Sequence, residues 1–259
     1  MKITEYRIKT QKPIKKTTVA CVSDMHARKF DKVIESLKCI SPDIILLAGD
    51  ILEVSNEYMR KRNASALEFL RQASEIAPTY YCFGNHEIYY SHSDKLSNRI
   101  PNSQIQKENI GKINSYGIHL VNDKFERAEL SDGTEIYIGG LVCGEDMNPS
   151  INKKVPNTDF LKIYDETDAF KILLCHYPQY YEPYLKTGNF DIIFSGHAHG
   201  GQWRIFGQGI YAPHQGLFPR LTSGIHDGRL IISRGAANNS RPIPRFFNPT
   251  EVLKVITSQ

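Results

Sequence analysis

The sequence predicts a mixed α/β (α+β) protein in which two β-sheets pack together with helices outside, within one domain over residues 1–259. Three observations carry that expectation. Short apolar, strand-like runs alternate with helical periodicity through the first half, and the second half repeats the theme. After Gly200 the character changes to Gly-rich turns and hairpins. No linker rich in Pro, Gly and Ser divides the chain, and no long internal repeat is present.

The elements follow in order. Thr17 to Ser23 reads as a strand, and Phe30, Val33, Ile34, Leu37 and Ile40 mark one face of a helix. Asp43 to Gly49 is a continuous apolar run, the pattern of a strand buried on both faces. A long helix is expected from Asn56 to Glu75, with Pro78 preceding a strand over Thr79 to Phe83. Residues 91–117 are polar, with a helix near Gln104 to Ile113. Two strands flank Asp132-Gly133, a dipeptide suited to a hairpin turn. Phe170 to Cys175 and Asp191 to Ser195 read as strands, Asp227-Gly228 as another hairpin turn, and Val252 to Ile256 as the last strand.

Composition bounds the function classes. Hydrophobic residues make up 41% and charged residues 23%, near globular averages, which excludes disorder throughout. The net charge of +4 is mildly basic; it argues against a dedicated nucleic-acid coat and permits an anionic substrate. No apolar run approaches the roughly 18 residues of a membrane span, and Met1 to Tyr6 lacks the layout of a secretion signal. The five cysteines (Cys21, Cys39, Cys82, Cys143, Cys175) show no CxxC spacing, and Cys21, Cys82 and Cys175 lie in apolar runs. A reducing cytoplasm is expected rather than a disulfide scaffold.

Five short polar clusters each follow an apolar run. They are Asp24-Met25-His26, Gly49-Asp50, Gly84-Asn85-His86-Glu87, His176, and Gly196-His197-Ala198-His199-Gly200-Gly201. Ligand sites in α/β sheets lie just outside strand carboxyl ends, so these five ends are expected to share one rim. Asp24, His26, Asp50, Asn85, His176, His197 and His199 form a donor set of oxygen and imidazole without thiolate. Seven donors exceed the four of a closed tetrahedral zinc site and suit two ions about 3.5–4 Å apart that share a carboxylate. The i, i+2 spacing of Asp24/His26 and His197/His199 is expected to place each pair on one side of extended backbone. Two divalent ions outweigh the two aspartates, so the centre stays positive even with a bridging hydroxide. Such a centre attracts phosphate and offers a nucleophile at neutral pH. Taken singly, a Gly-Asp is usually a turn and a lone His176 a satisfied buried histidine; the joint, ordered pattern favours metal. His92, His119, His214 and His226 fall outside the clusters and are assigned to surface or packing.

Asp24-x-His26, Gly49-Asp50, Gly84-Asn85-His86-Glu87, His176 and Gly196-His197-x-His199 together resemble the ordered signature of calcineurin-like metallophosphoesterases, over residues 24 to 199. Gly196 to Gln202 and Gln215-Gly216-Leu217-Phe218-Pro219 are also similar to a bacterial branch, the YkuE/YaeI-like phosphodiesterases, as is the stretch from Ser233 to Pro249. The resemblance implies a four-layer αββα sandwich, two mixed β-sheets flanked by helices, and a dinuclear centre. By motif position, Asp24, His26, Asp50 and His199 would hold one divalent ion. Asp50, Asn85, His176 and His197 would hold the other, with Asp50 bridging. Manganese is favoured, while imidazole with carboxylate also suits iron and zinc. His86 matches the motif histidine that approaches the phosphate or leaving group. On extended backbone it would point away from Asn85 and so stay free of the metal. Branch members often carry an N-terminal membrane anchor or export signal, which the opening residues do not resemble.

The expected activity is therefore a cytoplasmic phosphoesterase acting on a small-molecule or lipid-linked phosphate ester. Phosphodiester or pyrophosphate is favoured, cleaved by a hydroxide that bridges two metal ions, with Asp50 and His86 as catalytic residues. The alternatives are a phosphomonoesterase, including protein phosphatase action, and a non-catalytic scaffold on the same fold. Filled ligand positions and an intact His86 argue against the scaffold, and no basic run interleaved with aromatics supports a nuclease. From Gln202 to Phe247, Arg204, Arg220, Arg229, Arg234, Arg241 and Arg245 stand against one acid, Asp227. One or two of these arginines are expected to touch substrate. Trp203, Phe206, Tyr211 and Phe218 either frame an apolar or sugar-bearing leaving group or pack internally. The sequence specifies no oligomeric state.

Overall fold

Two six-stranded mixed sheets face each other in the computed structural model, which describes residues 1–12, 14–53, 61–88, 102–130, 133–143, 156–238 and 244–258. The first sheet holds β1 (Lys2–Lys9), β2 (Thr17–Val22), β3 (Ile44–Ala48), β4 (Thr79–Cys82), β5 (His119–Leu120) and β16 (Glu251–Ser258). Its order is β1-β16-β2-β3-β4-β5, with β16 parallel to β1 and antiparallel to β2, and β2 through β5 parallel. The second sheet holds β6 (Lys124–Glu129), β7 (Glu135–Leu141), β8 (Phe170–Cys175), β9 (Ile192–Ser195), β14 (Gly224–His226) and β15 (Leu230–Ile232). Its order is β14-β15-β9-β8-β7-β6, parallel at the centre and antiparallel at both edges. Two short hairpins lie between β9 and β14: β10–β11 (Arg204–Ile205, Gln208–Gly209) and β12–β13 (Tyr211–Ala212, Gly216–Leu217).

The period of two along each strand builds the layers. Val19, Cys21, Ile44, Leu46, Tyr80 and Cys82 meet Ile136, Ile138, Ile172, Leu174, Ile192 and Phe194 between the sheets. Their alternates Ala20, Val22, Ile45, Leu47 and Tyr81 face outward onto Val33, Leu37 and Ile40 of α1 (Asp31–Ile40) and Ala66, Phe69 and Leu70 of α2 (Asn63–Ser74). Ile113 of a later helix (Asn102–Ser115) joins that layer. On the far side Leu173, Cys175 and Ile193 pack against Phe160, Leu161 and Tyr164 of the helix Thr158–Asp165. The result is helix, sheet, sheet, helix. That last helix begins on the Asn157 side chain, which accepts from Phe160 N at 3.1 Å. Beyond its end the fully buried Lys171 donates to the carbonyls of Asp165 and Thr167, at 2.7 and 2.8 Å. A cation there also complements the negative end of the helix dipole.

Several expected elements shift. The helix expected from Asn56 is observed from Asn63 to Ser74; residues 54–60 lie outside the described ones, as does Asp132 of the first hairpin turn. The helix expected over Gln104 to Ile113 is longer, Asn102–Ser115. Asn85 and His86 do not lie on extended backbone but open a short helix, Asn85–Ile88. Asp24, His26, His197 and His199 are not extended either, since each has a left-handed φ between 46° and 64°. Tight turning after the strand, rather than strand alternation, aims these pairs. Among the described residues no helix is long and apolar enough to cross a membrane.

Candidate metal centre

Each candidate ligand follows a parallel strand. Asp24 and His26 follow β2, Asp50 follows β3, Asn85 follows β4, His176 follows β8, and His197 and His199 follow β9. The two sheets bring these carboxyl ends to one rim. The post-strand segments remain bonded to each other: Asp24 N donates to Gly49 O at 3.0 Å, His26 N to Asp50 O at 2.9 Å, and Gly196 N to His176 O at 3.1 Å. Asp24, His26, Asp50, His197 and His199 all take positive φ, a cost that non-glycine residues bear where the surroundings dictate it, commonly at functional sites.

The side chains converge. His176 Nε2 lies 3.0 Å from Asp50 Oδ2 and 3.9 Å from Asp24 Oδ1. His199 Nε2 lies 3.4 Å from Asp24 Oδ1 and 3.1 Å from His26 Nε2. Three overlapping groups have ligand-capable atoms within 4.8 Å of one another: Asp24 with His26 and His199, Asp50 with His176 and His197, and His26 with Asp50 and His86. All are buried except His86, whose side chain is 14% exposed.

Two glutamates organise the rim. Glu53, fully buried, sits between two imidazoles, its Oε1 2.6 Å from His26 Nδ1 and its Oε2 2.8 Å from His86 Nδ1. This pairing turns the Nε2 atoms of both rings away from Glu53. Burial opposes its charge, but the two histidines hold its carboxyl down at about 2. Glu87 accepts from Asp50 N, Ile51 N, Leu52 N and Gly84 N at 2.6–2.9 Å, and from the Tyr81 hydroxyl at 2.6 Å. It thereby ties the turn after β3 to the turn after β4. Gly84 lies so close beneath Asp50 that a Cβ there would meet Asp50 Oδ1 at 2.3 Å and His176 Cγ at 2.9 Å.

The residues fit divalent cations. His197 Nε2 is buried with no hydrogen-bond partner among the described residues, and His176 Nε2 meets Asp50 off the hydrogen-bonding direction. Burial and the charge of His176 hold His197 well below the usual imidazole range. Burial, His26 and Arg245 do the same to His199. Neutral imidazole is the form that ligates metal. Burial pushes the Asp24 carboxyl up, with Asp50 adding to the effect; two buried carboxylates side by side call for positive charge between them.

Sequence reasoning did not single out Glu53 or Glu87, and it assigned His214 to surface or packing. His214 stacks on His197 with ring centroids 5.3 Å apart, and Tyr177 lies 4.3 Å from the same ring. His119 pairs with Glu126, and His226 contacts Ser223 O, both away from the centre; His92 lies outside the described residues. Among the described arginines from Arg204 to Arg245, Arg245 touches the cluster, its Nη2 3.0 Å from His199 Nδ1. Arg204 and Arg229 bond carbonyls, Arg220 faces Glu182, Arg234 pairs with Glu251, and Arg241 lies outside the described residues. Trp203, Phe206, Tyr211 and Phe218 are exposed rather than packed internally.

Residues 17–201 match the model of the calcineurin-like phosphoesterase family. An uncharacterized metallophosphoesterase of Campylobacter jejuni is 25% identical over 237 residues, covering 92% of this chain and 56% of that protein. The chain thus spans little more than half of that relative's length. An uncharacterized metallophosphoesterase of Aquifex aeolicus is 25% identical over 272 residues, covering 98% of this chain and 91% of the relative. Among solved structures, a candidate 5′-nucleotidase from Staphylococcus aureus overlaps with a TM-score of 0.47 at 14% identity, covering 85% of this chain and 49% of that one.

Proposed function

The chain belongs to the calcineurin-like phosphoesterase family, and from that premise we propose that it hydrolyses phosphodiesters or pyrophosphates with the help of two divalent metal ions. The observation that carries this reading is the meeting of six carboxylate and imidazole donors, Asp24, His26, Asp50, His176, His197 and His199, from four strand ends, with His197 Nε2 buried and without a hydrogen-bond partner among the described residues. Asp24, His26, Asp50 and His199 would hold one ion. Asp50, Asn85, His176 and His197 would hold the other. Divalent ions held there would neutralise phosphate charge and acidify a water at neutral pH. Manganese is the metal we favour, and iron and zinc suit the same donors.

The chain's own groups supply the rest. Glu53 accepts the Nδ1 proton of His86 and so fixes the ring with Nε2 toward the centre, 3.9 Å from Asp50 Oδ2. Burial disfavours a charged His86, but Asp50 and Glu53 outweigh it and raise the imidazole to about 10. In the metal-free chain it therefore holds a proton at Nε2 near neutrality; with ions on Asp50, Glu53 would be the group that keeps this proton on the ring for a leaving-group oxygen. Buried walls around Asp24, Asp50 and His176 exclude bulk water and strengthen each interaction with the phosphate. The preference for diester or pyrophosphate rests on the resemblance of Gly196 to Gln202 and Gln215 to Pro219 to the YkuE/YaeI-like branch.

The test is hydrolysis of bis-p-nitrophenyl phosphate against p-nitrophenyl phosphate. Protein stripped with chelator and reloaded with manganese, iron or zinc would be used, with metal content measured by elemental analysis. The expected result is two ions per chain and faster cleavage of the diester. Faster cleavage of the monoester would replace the diesterase reading with a phosphomonoesterase one. No hydrolysis of either ester with any of the three metals would overturn the proposal.

A further inference from the structure

Among the described residues, large apolar side chains are exposed mainly in one region. Eight of the eleven lie there: Trp203, Ile205, Phe206, Tyr211, Leu217, Phe218, Phe246 and Phe247. Backbone bonds join their segments into one platform. Trp203 bridges to Phe246, Ile210 N donates to Trp203 O at 2.9 Å, and Phe218 N donates to Ile210 O at 2.8 Å. Tyr211 and Leu217 form an exposed cross-strand pair. Scattered surface leucines need no explanation, but eight large apolar side chains exposed on joined segments do.

The backbone beneath the phenylalanines is a second, independent observation. Phe206, Phe218 and Phe247 have φ of 49°, 51° and 52°, the left-handed region where a bulky residue is an outlier. Phe206 and Gly207 (φ 84°) form the two-residue turn of β10–β11, where positive φ at both positions favours Asn-Gly. Phe206 is fully exposed at 105%, and Phe218 is 66% exposed, so neither recovers that strain by burial within the chain. Strain kept without internal compensation points to an external partner.

We propose that this platform docks on an anionic phospholipid bilayer, with Phe206, Phe218 and their apolar neighbours entering the headgroup and upper acyl region. Single large side chains on separate exposed turns and bends suit shallow insertion, and aromatic residues favour that interface. Charge agrees: residues 202–247 carry six arginines against one acid, Asp227; among them Arg204 is bonded to the carbonyl of Gly200 and the exposed Arg220 faces Glu182. The platform also adjoins the candidate centre, because Phe247 lines the same depression as Arg245, which touches His199. This inference goes beyond the phosphoesterase reading and stands apart from it, since docking is read without hydrolysis.

The test is co-sedimentation of the whole chain with phosphatidylcholine vesicles, with and without phosphatidylglycerol. The double variant Phe206→Asn/Phe218→Asn is compared with the unaltered protein. Asn suits left-handed backbone, so the variant should keep its melting temperature. The unaltered protein should bind phosphatidylglycerol vesicles more tightly, and the variant's partitioning should fall by about tenfold or more. Trp203 is the only tryptophan in the chain, so its emission should shift to the blue with vesicles. The proposal is overturned if neither vesicle binds, or if the variant binds as well as the unaltered protein. It is also overturned if the unaltered protein is a dimer that the two substitutions convert to a monomer, which would make the platform a self-association surface.

Discussion

Glu87→Gln probes the tie between the turns after β3 and β4. Glu87 Oε2 accepts from Asp50 N and Gly84 N, and Oε1 accepts from Ile51 N, Leu52 N and the Tyr81 hydroxyl. Glutamine has the same shape but replaces one oxygen with an amide NH2. If the NH2 takes the Oε2 place, the Asp50 and Gly84 amides lose their acceptor. If it takes the Oε1 place, those of Ile51 and Leu52 do, although the Tyr81 hydroxyl can rotate and accept. Either way two buried backbone N–H groups are stranded, at about 1–3 kcal/mol each. The expected loss is about 2–6 kcal/mol, a large share of the roughly 5–15 kcal/mol that holds a typical domain. The assay is urea denaturation of chelated protein, with manganese titration calorimetry on the folded fraction. Affinity should fall too, because Asp50 and Asn85 sit on the turns that come loose. A midpoint within experimental error of the unaltered protein would refute the reasoning.

Four further outcomes follow from the same geometry. Asp50→Ala should strip both metal positions together with activity, and elemental analysis finding two ions retained per chain would count against the assignment. His86→Asn should keep the metals and lose ~10²–10⁴ in turnover; the loss should shrink for p-nitrophenolate, which departs without a proton, and equal losses on alkyl and p-nitrophenyl esters would remove the acid role. In chelated protein, Glu53 titrates at about 2 against 4.5 when unfolded, a depressed acid. Its contribution, up to about 3 kcal/mol, is therefore present above about pH 4.5 and lost as pH falls toward 2; parallel stability curves for the unaltered protein and Glu53→Gln across that window would contradict this. Gly84→Ala should displace Asp50, its Cβ falling 2.3 Å from Oδ1, and a crystal structure of the variant with Asp50 unmoved would exclude the clash.

What could be read in advance was whatever local pattern determines. β3, Ile44–Ala48, is buried on both faces and so reads as unbroken apolar sequence. The candidate ligands are legible because chemistry-bearing residues stand just after such runs. β1, Lys2–Lys9, was missed because it is a half-exposed edge strand whose Lys, Glu and Arg interrupt the apolar signal. β10 to β13 are two residues each, too short to leave a period. Glu53 and Glu87 act through donors that only the folded turns present; nothing local distinguishes Glu53 from a surface acid, and the Gly84-Asn85-His86-Glu87 motif does not specify what Glu87 accepts from. His214 returns to His197 through hairpin geometry, a contact that spacing alone does not encode. The left-handed φ at Asp24 and His197 likewise arises from the converging turns, which is why strand alternation gave the wrong account of those pairs.

The position of β16 bears on how the chain is made. Of the described strands it is made after all the others, yet its place is between β1 and β2, the first two of them. At ~5–20 residues per second, the two early strands wait on the order of 10–50 s for the strand that joins them. Throughout that interval the apolar Thr17–Val22 segment has an open edge, a template for pairing with other nascent chains. An edge left open for that long is a pairing hazard that the topology itself imposes on biosynthesis. A nonsense change just before Glu251 would release a polypeptide carrying every candidate ligand but lacking the strand that closes the sheet around them.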